Sequence, residues 1–507
     1  MRVLGVWPNY RLFAYERRLA AAELEALGAS VLDVSPLGIK FEHPDPKSLL
    51  GRITYVAELS FESSQWVGEQ RAAEVRHLEH RSRPSRQATR FGVHGFHEYK
   101  GKFNPQLARS LMNLADPEAE VLADPFAGSG TALIEALRLG RSVSGRDRSP
   151  IAVFMARAKV DALTCRNPAN LIAELTDLSD VVGSELKRGQ DADSEVRVGR
   201  WSRETHEYLR HWMTAPAMAG LTRGVQAHDG MTSLASRISL LCLSAILRST
   251  SLQEPQDLRV RRRPAGFVAP SLREAYTEQI DRVVCGLSEL EAWSADLSTD
   301  VELGSATDED LFRATSVKAR RSIVTSPPYA TALPYIDTDR LSILMLGLGE
   351  VADLRKLEAE LLGSREWNTA TKAAWWRAYT DNSRGLPVAV IDLLSVLVAS
   401  NEQLGAGFRR AAVPALLYRY FGGMTDAFAS WQRQLRSGER AVVVVGRNRT
   451  GPRGRQITID TPSLLARCAE TVGFELVDQI ALETWPRYGM HAANGVEAED
   501  ALVLERV

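Results

Sequence analysis

The chain has 507 residues, 45% of them apolar and 25% charged, with a formal net charge of −1. At roughly 150 residues per unit this leaves room for two to four structural units of ordinary globular composition. The near-neutral charge excludes a uniformly basic nucleic-acid binder, and no run approaches the roughly 18 apolar residues of a membrane span. Cys165, Cys242, Cys285 and Cys468 form no CxxC pair, so neither a zinc site nor a disulfide framework is indicated.

The opening MRVLGVWPNYRLFAYERR lacks the apolar core of a secretory signal, so a cytoplasmic location is expected. RVLGVW reads as a strand, and ERRLAAAELEALG as an amphipathic helix stopped at Gly28. SVLDVSP and ITYVAELSF read as strands, which makes residues 1–80 a small α/β or α+β domain. Residues 81–93, polar and basic around Pro84, read as a linker. A main domain is expected over 94–507. It begins with the helical NPQLARSLMNLA, the buried strand and glycine turn of EVLADPFAGSG, the helix TALIEALRLG, the strand RSVSGRD and the helix IAVFMARAKVDAL. That alternation predicts a doubly wound α/β sheet. Residues 166–300 read as a helical insertion and 346–385, with Trp367, Trp375 and Trp376, as a second. RSIVTSPPYA is a strand ending in a turn; DLLSVLVASNEQL and TPSLLARCAETVGF are helices, and RAVVVVGRN and DALVLERV strands.

Two of these turns carry chemistry. In Asp124-Pro125-Phe126-Ala127-Gly128-Ser129-Gly130-Thr131 a buried strand runs into a turn whose glycines let the backbone approach a ligand closely. A second strand then ends in Asp147, 23 residues after Asp124. A carboxylate at about that distance suits a ribose diol, whose two hydrogen bonds it accepts. In Thr325-Ser326-Pro327-Pro328-Tyr329 the prolines hold the chain extended and remove two N–H donors, leaving carbonyls as fixed acceptors. Such acceptors hold the hydrogens of an exocyclic amine and aim its lone pair at an electrophile. Ser326 adds another acceptor, and Tyr329 a face on which an extruded base stacks.

With both motifs present, the sequence resembles the amino-methyltransferases that modify cytosine at N4 or adenine at N6 in DNA. The resemblance implies a Rossmann-like methyltransferase sheet, S-adenosyl-L-methionine as cofactor and direct methyl transfer to a flipped base. It assigns Asp124, Pro125, Phe126, Gly128, Ser129, Gly130, Thr131 and Asp147 to the cofactor and Ser326, Pro327, Pro328 and Tyr329 to catalysis. His97-Glu98-Tyr99-Lys100-Gly101-Lys102-Phe103-Asn104-Pro105 resembles the family's upstream segment, which implicates Lys102, Phe103 and Asn104 at the cofactor's methionine end. The family's Gly-Asp-Ala before the catalytic strand is here Gly304-Ser305-Ala306, which leaves the adenine contact to Ser305 or to Asp308. SPPY resembles the N4-cytosine branch, so a site-specific DNA methyltransferase acting on cytosine N4 is expected ahead of adenine N6.

The alternative is a tRNA or rRNA guanine-N2 methyltransferase, because the first 75 residues faintly resemble the N-terminal units of THUMP-containing enzymes. A third reading is a nucleic-acid-binding protein that has lost catalysis. C5-cytosine chemistry is disfavoured, since no cysteine stands near either motif to add to the ring. DNA is the expected partner and RNA the alternative, with no membrane and no metal; a restriction or defence-system partner stays open. Four basic clusters are candidates for a phosphate-tracking groove: Arg81 to Arg90, Arg259 to Arg263, Lys318 to Arg321 and Arg447 to Arg455. Trp375 and Trp376 are candidates for nucleic-acid contact or for core packing, and His97 for a polar lining residue.

Overall fold

The structure is a computed structural model that describes residues 1–79, 87–190, 198–254, 257, 261–264, 266–313, 315–330, 335–405, 407–451, 456–483 and 498–507. The first unit comprises β1 (Arg2–Val6), α1 (Ala14–Ala26), β2 (Ser30–Val34), β3 (Gly38–Glu42), β4 (Glu58–Phe61), β5 (Ser64–Val67) and α2 (Glu69–Glu79). Its five strands pair antiparallel in the order β2-β3-β1-β4-β5, so of the two expectations it is the α+β one. Gly28, at φ +89°, follows α1 in the left-handed conformation expected of it. The expected strand ITYVAELSF is shorter: only Glu58–Phe61 pairs, while Ile53, Tyr55 and Val56 are buried in irregular chain.

The main unit opens with α3 (Pro105–Ala115), β6 (Val121–Asp124), α4 (Thr131–Arg138), β7 (Ser142–Asp147) and α5 (Pro150–Leu163). Five helices follow as the expected insertion: α6 (Pro168–Gln190), α7 (Arg203–Trp212), α8 (Ala215–Gln226), α9 (Leu234–Thr250) and α10 (Leu272–Ser288). Then come β8 (Thr299–Leu303), β9 (Arg321–Thr325), α11 (Tyr335–Met345), α12 (Val351–Glu360), α13 (Thr369–Thr380), α14 (Val388–Gln403), α15 (Phe408–Ala411) and α16 (Val413–Gln434). The chain closes with β10 (Arg440–Gly446), β11 (Asn448–Thr450), β12 (Ile457–Ile459), α17 (Thr461–Glu470), β13 (Phe474–Glu483) and β14 (Ala498–Arg506).

The large sheet has the order β13-β14-β10-β9-β6-β7-β8. Strands β6 to β10 run parallel, and β14 is antiparallel to both of its neighbours. Helices cover both faces, which is why β6, β9 and β10 read as near-continuous apolar runs. From β6 the chain steps to β7 and β8 on one side, and it returns on the other with β9 and β10. The switch point therefore lies between β6 and β9, where open α/β sheets bind their ligands. The expected second insertion at 346–385 is part of a longer helical stretch ending in α16, whose Tyr418, Phe421, Phe428 and Trp431 are buried. No helix among the described residues is long and apolar enough to cross a membrane.

The two sheets meet along a buried polar seam on α3 and α4. Glu23 of α1 accepts from the Thr54 hydroxyl (2.6 Å) and from Asn113 of α3 (2.9 Å). Gln106 donates to Glu74 of α2 (2.8 Å), and Arg138 of α4 to Gln70 (2.7 Å). Glu135, fully buried, pairs with His94 (2.8 Å), Arg109 (3.2 Å) and Arg138 (2.9 Å). Burial works to raise its pKa, but these three partners outweigh it and hold the carboxyl well below the usual range. The expected linker is part of this packing. Ala88, Phe91 and Val93 are buried, and the Arg138 guanidinium covers the Phe91 ring at 5.1 Å. Residues 81–86 lie outside the described residues.

Candidate functional site

β6 and β9 end side by side, so the two sequence motifs leave the sheet next to one another. After Asp124 the chain turns through Gly128 at φ +49° and Gly130 at φ +82° into α4. A β-carbon on Gly128 would lie 3.1 Å from Tyr99 Cε1, and one on Gly130 3.0 Å from Ala156 Cβ. Both glycines are therefore required by conformation and by space. The Gly128 N–H donates to Asp147 Oδ2 and the Ser149 N–H to Asp147 Oδ1, each at 2.8 Å. Burial raises the Asp147 pKa against these bonds. Asp124 Oδ1 accepts from the Thr325 hydroxyl (2.6 Å) and the Phe126 N–H (3.1 Å), and burial pushes its pKa up to about 7.

A cavity of about 330 Å³ opens at this point. Of the expected cofactor residues, Lys102, Phe103, Asp124, Pro125, Phe126, Gly128, Ser129, Thr131, Asp147 and Ser305 line it; Ser326 and Pro328 join them from the second motif. Four expected residues are not on the wall. Gly130 is the N-cap of α4 behind it. Asn104 caps α3 instead, accepting from the Leu107 N–H (3.1 Å) and donating to Gln87 (3.0 Å). Pro327 is buried beneath the turn. Tyr329, expected as the stacking face, is hydrogen-bonded by its hydroxyl to Glu499 and Ser326; burial and the Glu499 carboxylate raise its pKa well above normal, against the Ser326 bond, which lowers it.

Other expectations are also corrected. Lys102 lines the cavity with its stem, while its ammonium is turned away onto the carbonyls of Thr89 (2.7 Å) and His94 (3.2 Å). Asp308 bonds the Ser305 N–H (2.8 Å) and is not on the wall. His97 is buried away from the cavity, between the Glu98 carbonyl (2.7 Å) and the Ser244 hydroxyl (3.0 Å). Several described residues of the basic clusters are engaged within the chain. Arg320 pairs with Asp116, Arg321 donates to the Gln434 carbonyl, Arg263 covers Phe267 and Arg447 pairs with Asp500. Arg81, Arg83, Arg86, Arg259, Arg453 and Arg455 lie outside the described residues. Trp376 packs on Tyr379, whereas Trp375 lines the cavity.

Tyr99, from the upstream motif, also lines the cavity, and much of the remaining wall comes from residues that no motif announces: Arg148, Glu360 at the end of α12, Leu361 and Leu362 after it, Arg384 after α13, and Arg419, Gly423 and Asp426 on α16. Arg148 and Glu360 pair across the mouth at 3.4 Å.

The family described as "UPF0020: RMKL-like, methyltransferase domain" matches residues 96–191. Type II methyltransferase M.MvaI of Kocuria varians is 38% identical over 89 residues, which is 17% of this chain and 19% of that protein. Type II methyltransferase M.MjaII of Methanocaldococcus jannaschii is 40% identical over 68 residues, 13% of each. The chain thus spans less than a fifth of the length of these curated relatives at the level of sequence. Among solved structures, TrmN from Thermus thermophilus aligns at 12% identity and a TM-score of 0.34, over 100% of this chain and 99% of that one. The rRNA methyltransferase aviRa from Streptomyces viridochromogenes aligns at 10% identity and a TM-score of 0.27, over 81% and 88%.

The matched domain and the sheet imply S-adenosyl-L-methionine as the methyl donor. The residues present fit it. The glycine turn has no room for side chains, and Asp147, which accepts from the N–H groups of Gly128, Ser149 and Arg148, still has acceptor capacity for a diol among the roughly four lone-pair sites of a carboxylate.

Proposed function

We propose that the chain is a methyltransferase that uses S-adenosyl-L-methionine to methylate an exocyclic amine of a DNA base, with N4 of cytosine favoured over N6 of adenine. The observation that supports this best is the opening of both motifs, the glycine turn with Asp147 and the Ser326–Pro328 turn, on one cavity.

The cofactor supplies an electrophilic methyl group on a sulfonium. Gly128 on the wall and Gly130 behind it would leave the turn open to it, and Asp147 would accept from its ribose diol. The hydroxyl of Ser326 and the carbonyls of the proline turn would accept the hydrogens of the target amine and so leave its nitrogen lone pair free for the electrophile. Alignment of this kind lowers a barrier by up to about 7–11 kcal/mol. A base reaches such a pocket only when flipped from its helix. Trp375, which lines the cavity, is the aromatic side chain we assign to stacking on it, with Tyr329 hydrogen-bonded to Ser326. The methylated nitrogen would be cationic and strongly acidic and would give its proton to water, so no strong base is required.

The test is transfer of labelled methyl to duplex DNA and to tRNA, with nucleoside mass spectrometry of the product. N4-methylcytosine in DNA supports the full reading, and N6-methyladenine keeps the mechanism with a different base. Label confined to tRNA guanine replaces DNA by RNA, and no label on either rejects the enzyme.

A further inference from the structure

Tyr335 is a wall residue that the chemistry of the two motifs leaves unused. It is the first residue of α11, and its half-buried side chain lines the cavity with Ser326, Pro328 and Asp147. The main chain at this point is fixed by α12. Glu358, itself buried, accepts from the Ile336 N–H (2.9 Å) and also from the Asp337 N–H, so a carboxylate caps the first turn of α11. The loop that follows α12 presses on the catalytic turn: a β-carbon on Gly363, at φ +79°, would lie 2.8 Å from the Tyr329 carbonyl oxygen. Residues Glu358 to Gly363 therefore hold Tyr335 and the proline turn in one frame.

The Tyr335 hydroxyl is tied on one side and open on the other. Its oxygen accepts from the Tyr329 N–H, the first main-chain donor after the two prolines. It has no other hydrogen-bond partner among the described residues. Burial first, and then the charge of Asp147, raise its pKa against that N–H, so the proton stays on the oxygen. An O–H donor bonded to the end of the catalytic turn thus shares a cavity with the Ser326–Pro328 acceptors. A hydroxyl donates once and accepts twice, and here only one acceptor place is filled. The N–H that fills it polarises the hydroxyl and makes it the better donor.

An exocyclic amine of a base always has a ring nitrogen with a free lone pair beside it. That nitrogen is N3 for cytosine N4, N1 for adenine N6 and N3 for guanine N2. The edge therefore shows a donor and an acceptor side by side, and acceptors with a neighbouring donor are its complement. We infer that the Tyr335 hydroxyl donates to this ring nitrogen while the proline turn holds the amine. Two bonds in place of one then fix the angle at which the amine is presented, which is the property that alignment-driven catalysis needs. The inference rests on the amine-methylation reading and holds for any of the three bases.

The test pairs one atom of the protein with one atom of the substrate. The full chain and its Y335F variant, which keeps the ring, are assayed for methyl transfer to random-sequence duplex DNA and to tRNA. The base that the wild type methylates is then replaced by its deaza analogue, 3-deazacytosine, 1-deazaadenine or 3-deazaguanine, in which C–H stands for the ring nitrogen. Calorimetric affinity for S-adenosylhomocysteine is measured alongside. On the natural substrate Y335F should lose about fivefold to a hundredfold in kcat/KM, the cost of an unmatched buried acceptor, with its affinity for S-adenosylhomocysteine unchanged. The deaza substrate should cost the wild type a similar factor and Y335F nothing further. Full activity of Y335F, weakened S-adenosylhomocysteine binding in it, or an equal deaza loss in both proteins overturns the contact and leaves amine methylation standing. Undiminished activity of the wild type on the deaza substrate overturns it without recourse to a variant. No transfer from the wild type to any natural base removes the amine-methylation reading and the contact with it.

Discussion

The hydroxyl of Thr325 donates a 2.6 Å hydrogen bond to Asp124 Oδ1, joining the last residue of β9 to the last residue of β6 across 201 positions of sequence. One bond thus fixes the distance between the turn that faces the cofactor and the turn that faces the amine. Thr325→Val keeps the shape and removes the donor. Burial already holds Asp124 at about 7, and Thr325 acts to lower it, so the variant's Asp124 titrates higher. Between its unfolded value of about 3.9 and its folded value, the folded state binds more protons and stability falls as pH rises. The variant extends that loss upward. It should be less stable than the wild type by about 1–3 kcal/mol near pH 8, and by less near pH 5, in urea denaturation. An equal loss at both would refute the coupling.

Asp147→Asn keeps the size of the side chain and withdraws the charge and one acceptor. Cofactor affinity should fall by about tenfold to a hundredfold, the worth of a hydrogen bond to a charged group. Calorimetry with S-adenosylhomocysteine reads this directly, and unchanged affinity would end the ribose assignment.

The two aromatic candidates separate cleanly. Trp375→Ala should reduce kcat/KM on nucleic acid by the roughly 1–3 kcal/mol of one stacked base, leaving S-adenosylhomocysteine affinity alone. Tyr329→Phe keeps the ring and loses the bonds to Glu499 and Ser326, so its effect should fall on kcat. If Trp375→Ala is fully active and Tyr329→Ala is not, stacking belongs to Tyr329 after all.

His97 gives a pH signature away from the chemistry. Burial first, and then the positive charge of Lys159, lower its pKa to about 4. Between about 6.5 and that value the unfolded chain takes up a proton that the folded one refuses, so stability falls as pH falls, by about 1.4 kcal/mol per unit. His97→Gln lacks this term. The stability curves of wild type and variant should converge as pH drops from about 7 to about 4; a constant separation would contradict the buried neutral imidazole.

The strands and turns carrying both motifs are legible because parallel strands buried on both faces leave apolar runs, and because Gly128 and Gly130 mark positions that other residues cannot occupy. The separation of Asp124 from Asp147 is legible for the same reason: one βαβ unit fixes it. Arg419, Gly423 and the loop at Leu361–Gly363 are not legible, since their place at the cavity follows from how α16 crosses the sheet and no local pattern encodes that. The helical spacing of Tyr418, Phe421, Phe428 and Trp431 would have revealed the helix, though not its neighbour. The pairing of the described arginines in the basic clusters is not legible because sequence shows charge without its partners, such as Asp116 for Arg320. Asn104 looks like a ligand residue in its motif and is a helix cap in its place, a role its Pro105 neighbour fits equally well.

The polar seam through Glu135, Arg109 and His94 bears on how the molecule comes apart. A carboxylate without exposure, held by two arginines and hydrogen-bonded to a neutral imidazole, cannot lose an arginine partner without leaving charge under-compensated in the interior, at about 3–5 kcal/mol for a broken buried ion pair. Arg109 also donates to the Gly51 carbonyl of the first unit. The two sheets therefore share one cooperative transition: calorimetry should record a single melting peak for the whole chain, and a ligand seated at Asp147 should raise the melting temperature of the five-stranded sheet, which it never touches.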